Sequence, residues 1–412
     1  VPKHHSTTSE NNLPTTILGQ RIRLDLNNVQ TSFFERCAGA SRFVYNWGLD
    51  RWKAQYEAGG KPSWVSLSSE LNACKTTEFP WMIKLPWAVP STALSNLGNA
   101  FSNFFRRVKS GQKPGYPRFK SKKRNKAAFA IEGRALRFDG RRVKIPKLGW
   151  VRTRQEIRFP GKILSAHFTK HAGHWYVSIQ VQVSDSWSYP HRCETQETVG
   201  VDLGLRDLAV FSTGERVEAP RILRAHETRL RRLNKEMSRR VIGGRNWQKT
   251  KTKLSRLHER ISNIRKDVTH KLTARLVRDF RRIGIEDLNV KGMMANHHLT
   301  KSIADASLSE IRRQLTYKAP LAGSEIVVAD RWFPSSKLCS DCRTRREEPL
   351  PLSVREWVCE ACGVVHDRDI NAAINLRTAA LAGIACCQES SGSGLTARTK
   401  LSHGQESSSR VN

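Results

Sequence analysis

Four cysteines near the C-terminus, Cys339, Cys342, Cys359 and Cys362, follow a C-x2-C-x16-C-x2-C spacing. Two such pairs can present four thiolates tetrahedrally, the arrangement that one structural Zn²⁺ takes. The run that follows, Cys-Gly-Val-Val-His-Asp-Arg-Asp-Ile-Asn-Ala-Ala-Ile-Asn-Leu from Cys362 to Leu376, puts Asp367 and Asp369 where a helix should begin. Ala372, Ala373, Ile374 and Leu376 supply the buried face of that helix. An acid fixed at a helix N-terminus beside a metal-stapled loop is well placed to hold a second, catalytic metal.

Two further carboxylates stand in apolar strands upstream. Asp202 lies in Val-Gly-Val-Asp-Leu-Gly, with Gly200 and Gly204 permitting close approach. Burying an unpaired carboxylate there would cost several kcal/mol. Glu286 closes the buried strand of Ile-Gly-Ile-Glu-Asp-Leu, at the carboxyl end where open α/β sheets place their sites. Three converging carboxylates with no compensating base repel one another unless cations sit between them. Two Mg²⁺ (or Mn²⁺) ions about 4 Å apart would answer that repulsion, activate water and stabilise the leaving oxygen of a phosphodiester. Oxygen donors suit Mg²⁺ and thiolates suit Zn²⁺, so the two sites need not compete.

The elements that must position these residues belong to a chain of 412 residues with a formal net charge of +34. That length allows two or three domains, and that charge calls for a polyanionic partner, nucleic acid first. No apolar run reaches the roughly 20 residues a spanning helix needs, which excludes a membrane role of that kind. Residues 1–14 read as a polar, disordered lead without a signal peptide, and residues 386–412 as a disordered tail. Of nine cysteines, Cys37, Cys74, Cys193, Cys386 and Cys387 lack ligand spacing and read as ordinary thiols of an intracellular protein.

Residues 15–26 alternate like a strand. Helices follow from about Gln30, from Leu67 to Lys75 and from Ser91 to Val108. Arg42, Tyr45 and Asn46 sit on or beside the apolar face of the first and are candidate nucleic-acid contacts. Then comes a Pro/Gly-broken basic loop, Lys113–Arg124, in which Arg118, Lys120, Lys122 and Lys123 alternate with Tyr116 and Phe119. Cations for phosphates and rings for stacking are what a nucleic-acid contact needs. From Ala127 to Val183 the pattern turns to strands, including Glu156-Ile-Arg-Phe and the nine alternating residues Trp175–Val183. The strand near residue 20 is expected to join that sheet, making the helices an insertion.

A strongly basic helical stretch, broken near Gly243-Gly244, spans Arg221–Phe280. Its exposed face carries Arg231, Arg232, Arg239, Arg240, Lys249 and Lys253 with few acids between, which favours a nucleic-acid backbone over a merely solvated face. A helix over 268–282 leads into the Glu286 strand. A helix from Ala304 to about Tyr317 and the strand Glu325–Ala329 precede the cysteines.

In this order, Val-Gly-Val-Asp202-Leu-Gly, Ile-Glu286-Asp-Leu, a CxxC…CxxC knuckle and His-Asp-Arg-Asp369-Ile-Asn-Ala-Ala-Ile-Asn resemble the split RuvC nuclease of transposon-encoded TnpB proteins. The eukaryotic Fanzor proteins and compact type V CRISPR effectors share that core. Asp-Arg-Trp-Phe-Pro-Ser-Ser-Lys-Leu-Cys, Arg-Arg-Gln-Leu-Thr-Tyr-Lys-Ala, Arg42-Phe-Val-Tyr-Asn-Trp47 and Gly115-Tyr-Pro-Arg-Phe-Lys120 resemble the family too, so the likeness spans roughly residues 20–385.

The resemblance implies a multidomain α+β protein. A wedge β-barrel (15–30 and 127–195) would carry an inserted helical recognition module (31–126). A ribonuclease H-like RuvC α/β nuclease domain (196–335 and 366–385, with the basic hairpin 221–282) would carry an inserted zinc-ribbon knuckle (336–365).

It further implies an RNA-guided endonuclease that uses a transposon-end guide RNA, one protein per guide, to find double-stranded DNA beside a short adjacent motif. Both strands would be cut in a single site. By family position Asp202, Glu286 and Asp369 are the Mg²⁺ ligands. Asp367 is set aside because the pattern puts the ligand two residues before Asn371. Such a protein would work in the cytoplasm at the nucleoid, or in the nucleus of a eukaryote. Arg343 departs from the family, which often has glycine there. The rival readings are a type V CRISPR effector, a non-cleaving guide-directed repressor, which the three intact acids disfavour, and a strand-transferring transposase.

Overall fold

The computed structural model describes residues 16–383 except 184–186, 188, 191, 349 and 352. The lead, the tail, Cys386 and Cys387 lie outside the described residues. The chain divides into two compact units, Val1–Pro190 with Ile222–Val268, and His191–Arg221 with Thr269–Asn412.

In the first unit, β1 (Ile17–Asp25) is followed by α1 (Asn28–Glu57), α2 (Trp64–Cys74) and α3 (Ala88–Lys109). The strands β2 (Ala128–Glu132), β3 (Arg137–Asp139), β4 (Arg142–Ile145), β5 (Gly149–Thr153), β6 (Gly161–His171) and β7 (His174–Val183) come next. They form one seven-stranded antiparallel sheet in the order β2-β6-β7-β1-β5-β4-β3. Because β1 pairs with both β7 and β5, the three helices leave and re-enter one sheet.

Asn27 starts α1 through a reciprocal capping box with Gln30. At helical spacing, Phe33, Phe34 and Cys37 then reach the sheet core, where Phe34 meets Phe129, Phe168 and Trp175 edge-on with centroids 5.2–5.4 Å apart. Burial in that core pushes the Cys37 thiol up to about 12. Val44, Tyr45 and Leu49, further along α1, join a second core with Leu67, Leu94, Leu97 and Phe101.

Two expectations need correction in this unit. Glu156-Ile-Arg-Phe is not a strand. The buried Gln20 side chain replaces a ladder partner there, donating to the Glu156 carbonyl at 2.9 Å and accepting from the Arg158 amide at 2.8 Å. The basic hairpin α4 (Ile222–Ser238) and α5 (Arg245–Asp279) groups with this unit as far as Val268, rather than with the rest of residues 196–335 as expected. Tyr176 of β7 donates to Glu259 at 2.6 Å, one of the contacts that hold it. Residues 268–279 are the end of α5 rather than a separate helix.

The second unit is built on β8 (Thr198–Asp202), β9 (Asp207–Phe211), β10 (Arg216–Glu218), β11 (Arg282–Glu286) and β12 (Glu325–Ala329). They form a mixed sheet in the order β10-β9-β8-β11-β12, with β8, β11 and β12 parallel. The short α6 (Val290–Met293) and α7 (Thr300–Ala306) precede α8 (Leu308–Ala322). The expected helix over 304–317 is therefore two, because Ser307 adopts a left-handed conformation (φ 53°) between them. The hairpin β13 (Glu356–Val358) and β14 (Val365–Asp367) closes the cysteine region, and α9 (Arg368–Leu381) packs on β8 and β11.

Among the described residues, no helix is long and apolar enough to cross a membrane.

Candidate active site and metal centre

Two glycines decide where α9 can lie. Gly200 of β8 and Gly284 of β11 are direct partners in the parallel ladder. A Cβ on Gly200 would fall 1.9 Å from the Ala373 carbonyl oxygen, and one on Gly284 2.4 Å from that of Leu376. Only side-chain-free backbone lets the helix approach this closely. Further along the same strands Ile285 pairs with Val201, so the next residues, Glu286 and Asp202, leave the sheet side by side. The helix pressed onto the glycines brings Asp369, in its first turn, toward both.

The electrostatics register that meeting. Burial pushes the Asp202 carboxyl up to about 8, and the nearby Glu286 and Asp369 charges push in the same direction, while Arg368 and Arg355 offset part of it. Asp369 has a partner that sequence reasoning missed. Arg355, in the segment between the cysteine pairs, donates to its carboxylate at 3.2 Å, and Arg216 of β10 lies 3.7 Å away. The expectation of a cluster without a compensating base is thus corrected at this one acid. Neither arginine belongs to a motif, and nothing in the local sequence marks them.

Asp367 is engaged elsewhere. One of its oxygens caps α9 by accepting from the Asp369 and Ile370 amides, and the other accepts from Arg216 at 2.6 Å. Glu286 accepts from the Ser335 hydroxyl. The neighbouring Asp287 is held by Arg312 and, at 2.8 Å, by Arg331, which together keep its carboxyl below the usual range.

The cysteine cluster is tighter. Cys339 and Cys362 sulfurs are 3.7 Å apart, and those of Cys342 and Cys359 are 3.6 Å apart. Four sulfurs at about 2.3 Å from a tetrahedral ion have edges of about 3.8 Å, so the spacing fits Zn²⁺. Among the described residues, all four ligand atoms lie within 4.8 Å of one another, which is not true of the three carboxylates. Sequence reasoning missed His366, buried under Trp357, whose Nε2 lies 3.0 Å from the Cys339 sulfur.

Two buried asparagines fasten this cluster to α9. Asn371 accepts from the Ser340 amide at 2.9 Å and donates to the Leu338 carbonyl at 2.8 Å, and Asn375 donates to the Ser335 and Leu338 carbonyls. Arg343 explains its own departure from glycine. It occupies the left-handed region (φ 65°), but its guanidinium donates to Asn375 and Thr378 at 2.9 Å each, which offsets the strain.

The nucleic-acid candidates divide into two kinds. Arg118, Phe119, Lys122, Lys123, Arg231, Arg232, Arg239, Lys249, Lys253 and Tyr116 are exposed, and Arg42 is half-buried. Tyr116 packs its edge on Phe101 and Phe104 while keeping a face to solvent. Tyr45 is a correction. Its ring is buried in the helical core, and the Lys120 ammonium covers it at 3.5 Å, so neither is a free contact. Asn46 is likewise engaged, bonding both the Lys120 amide and its carbonyl at 2.8 Å. Arg240 is ion-paired with Glu236.

Known proteins resemble this chain over most of its length. A "Putative RNA-guided DNA endonuclease" of Streptomyces pristinaespiralis is 37% identical over 365 residues, covering 87% of this chain and 88% of the relative. The chain belongs to the TnpB (IS605 OrfB) family. The TnpB-family relative InsQ of Escherichia coli K12, also named as a "Putative RNA-guided DNA endonuclease", is 33% identical over 89% of this chain and 93% of its own length. One from Mycobacterium tuberculosis CDC 1551 is 30% identical over 87% and 85%.

Three family models match in series. A "Helix-turn-helix domain" covers residues 16–61, an IS605 OrfB "Probable transposase" residues 177–297, and a "Cas12f1-like, TNB domain" residues 309–376. The first falls on one strand and one long helix in this chain.

Proposed function

We infer that this TnpB-family chain is an RNA-guided DNA endonuclease, and that Asp202, Glu286 and Asp369 form its one phosphodiester-cleaving site. The observation that carries the reading is the meeting of three carboxylates from two adjacent strand ends and a helix start, where burial first and the Glu286 and Asp369 charges second hold Asp202 well above its ordinary range. The strand order 3-2-1-4-5, counted from β8 to β12, is that of a ribonuclease H-like sheet and supports a RuvC assignment for the second unit.

Oxygen donors and a cluster of three acids only partly offset by arginines fit two Mg²⁺ or Mn²⁺ ions, which Asp202, Glu286 and Asp369 would hold. When bound, such ions polarise the phosphate and lower the pKa of the attacking water. The protein's own part is to fix those acids. The Ser335 hydroxyl orients Glu286, the Asp367 cap and the α9 backbone orient Asp369, and the glycine contact sets their separation. Arg355 and Arg216 would release Asp369 to the metal.

The antiparallel sheet wraps a single core and is assigned as the wedge barrel (15–30 and 127–195), with α1–α3 (31–126) as the recognition module. Their basic loops and the exposed arginines of α4 would hold a transposon-end guide RNA and the heteroduplex by phosphate contacts. Residues 336–365 are assigned as the zinc knuckle, with one structural ion.

The test is purification with the native flanking DNA, sequencing of the co-purified RNA, and cleavage of a matched plasmid. One dominant RNA with a constant scaffold and a variable 3′ end is expected, with Mg²⁺-dependent cutting that Asp202→Ala lowers by at least about 10³-fold. Equal cutting by Asp202→Ala would remove the acids from the chemistry. Matched binding without cutting by the wild type would favour a repressor.

A further inference from the structure

We propose that Trp332 is a stacking platform for an unpaired base of the DNA strand being cut, held at a fixed position beside the carboxylates. The proposal rests on the nuclease reading above and names how its substrate is positioned.

Trp332 is 84% exposed, as open as any large apolar side chain among the described residues. The loop that carries it is nonetheless tightly tied. Its own amide donates to Asp330 Oδ1 at 2.8 Å, and the Phe333 amide donates to the Asp330 carbonyl at 3.0 Å. On one side of it, Arg331 donates to Asp287 at 2.8 Å; on the other, the Ser335 hydroxyl donates to Glu286. The Ser335 carbonyl in turn accepts from Asn375 of α9. The indole is thus presented from a loop fastened on both flanks to the acid pair Glu286–Asp287. A large ring held in water by a braced loop keeps an apolar face available for a partner, where a slack loop would let it fold away.

The surroundings specify the partner. A cavity of about 610 Å³ opens along the same acids, lined by Glu286, Lys291, Arg312, Tyr317 and Arg331. Glu286 and Asp287 offset two of the three cations Lys291, Arg312 and Arg331, so the wall keeps a small positive excess. Tyr317 adds a second aromatic ring on that wall, with the Glu310-paired Arg313 guanidinium 5.4 Å over it. Planar aromatic surface combined with cations matches a single strand, which offers free base faces and phosphates together. A duplex keeps its base faces stacked and has none to give. The strand must therefore be unpaired where it passes Trp332.

The test uses the full-length protein with its guide RNA and matched DNA targets that carry one abasic site, moved base by base across the cut region. In the wild type, an abasic site at one or two adjacent positions is expected to slow cutting roughly tenfold, as loss of one base–aromatic stack does. Trp332→Ala should slow cutting of the intact target by a similar factor, and the same abasic sites should then add nothing. Trp332→Phe should restore most of the rate and the abasic sensitivity. An exposed side chain with no packing role leaves the melting temperature unchanged in both variants. An abasic penalty that persists undiminished in Trp332→Ala, or wild-type cutting by that variant, overturns the proposal. Failure of the wild type to cut any intact matched target, or undiminished cutting by Asp202→Ala, refutes the nuclease reading and takes this proposal with it.

Discussion

The cysteine cluster and the carboxylate cluster lie at the start of the same helix, yet they are built in opposite ways. The thiols come from two tight C-x2-C turns, sit within 4.8 Å of one another, and are closed by a buried histidine. The acids come from β8, β11 and α9, stand more openly, and depend on two glycines, Gly200 and Gly284, that seat the distant helix carrying Asp369. A soft structural ion needs only short loops with the right spacing. A site for hard catalytic ions needs open coordination positions and a scaffold that supplies each ligand separately. The difference teaches which part of the molecule tolerates change, and three measurements sharpen it.

The largest effect should come from the closed site. Cys359→Ser, or prolonged chelation, is expected to lower zinc from one ion per chain, to drop the melting temperature and to abolish cutting. Asn371 and Asn375 tie the knuckle to the helix that carries Asp369, so loosening one loosens the other. Metal analysis beside calorimetry checks this, with Asp202→Ala as the contrast that keeps both zinc and melting temperature. Full cutting by a zinc-free variant would separate the two clusters.

A smaller effect belongs to the glycine contact. Gly284→Ala puts a methyl group against the Leu376 carbonyl, 2.4 Å from its oxygen. Overpacking of this kind costs roughly 1–3 kcal/mol. Denaturant unfolding should show that loss, and cutting should fall further than stability alone explains, with zinc content unchanged. A variant as active as the wild type would mean that α9 can shift without harm to the site.

The third effect is one of pH. The folded-state Asp202 carboxyl, at about 8, lies above its ordinary value of 3.8, so the folded protein holds that proton more tightly than the unfolded chain. The stability it contributes is present below about pH 4 and is lost as the pH rises toward 8. In buffer free of Mg²⁺, with the zinc left in place, the melting temperature of the protein should therefore slope downward over that window, relative to Asp202→Asn. Added Mg²⁺ should flatten the slope by stabilising the ionised form. A flat profile without Mg²⁺ would mean that the three acids do not interact as described.

Legibility in the sequence followed how local each feature is. The cysteine quartet, the α9 face and the strand ends at Asp202 and Glu286 were readable because spacing and periodicity act over a few residues. Glu156-Ile-Arg-Phe misled because a single buried side chain, Gln20, does the work of a neighbouring strand. Tyr45 misled for the opposite reason. Its place on or beside the apolar face, next to Arg42 and Asn46, left it a candidate contact, but packing takes it into the core with Leu49 and Phe101. Arg355, Arg216 and His366 carried no local signal, since each acts on a group from another element.

The amino-acid sequence by itself determined the family, the ligand types of both clusters and a polyanionic partner, because residue chemistry, motif order and net charge do not depend on how the chain folds. Tertiary structure alone decided that a pair of cross-strand glycines admits α9, that Arg355 and Arg216 guard Asp369, and that Trp332 stands braced in solvent. Those are relations between segments as distant in sequence as Gly200 and Ala373, and only packing of the sheet against its helix brings them together.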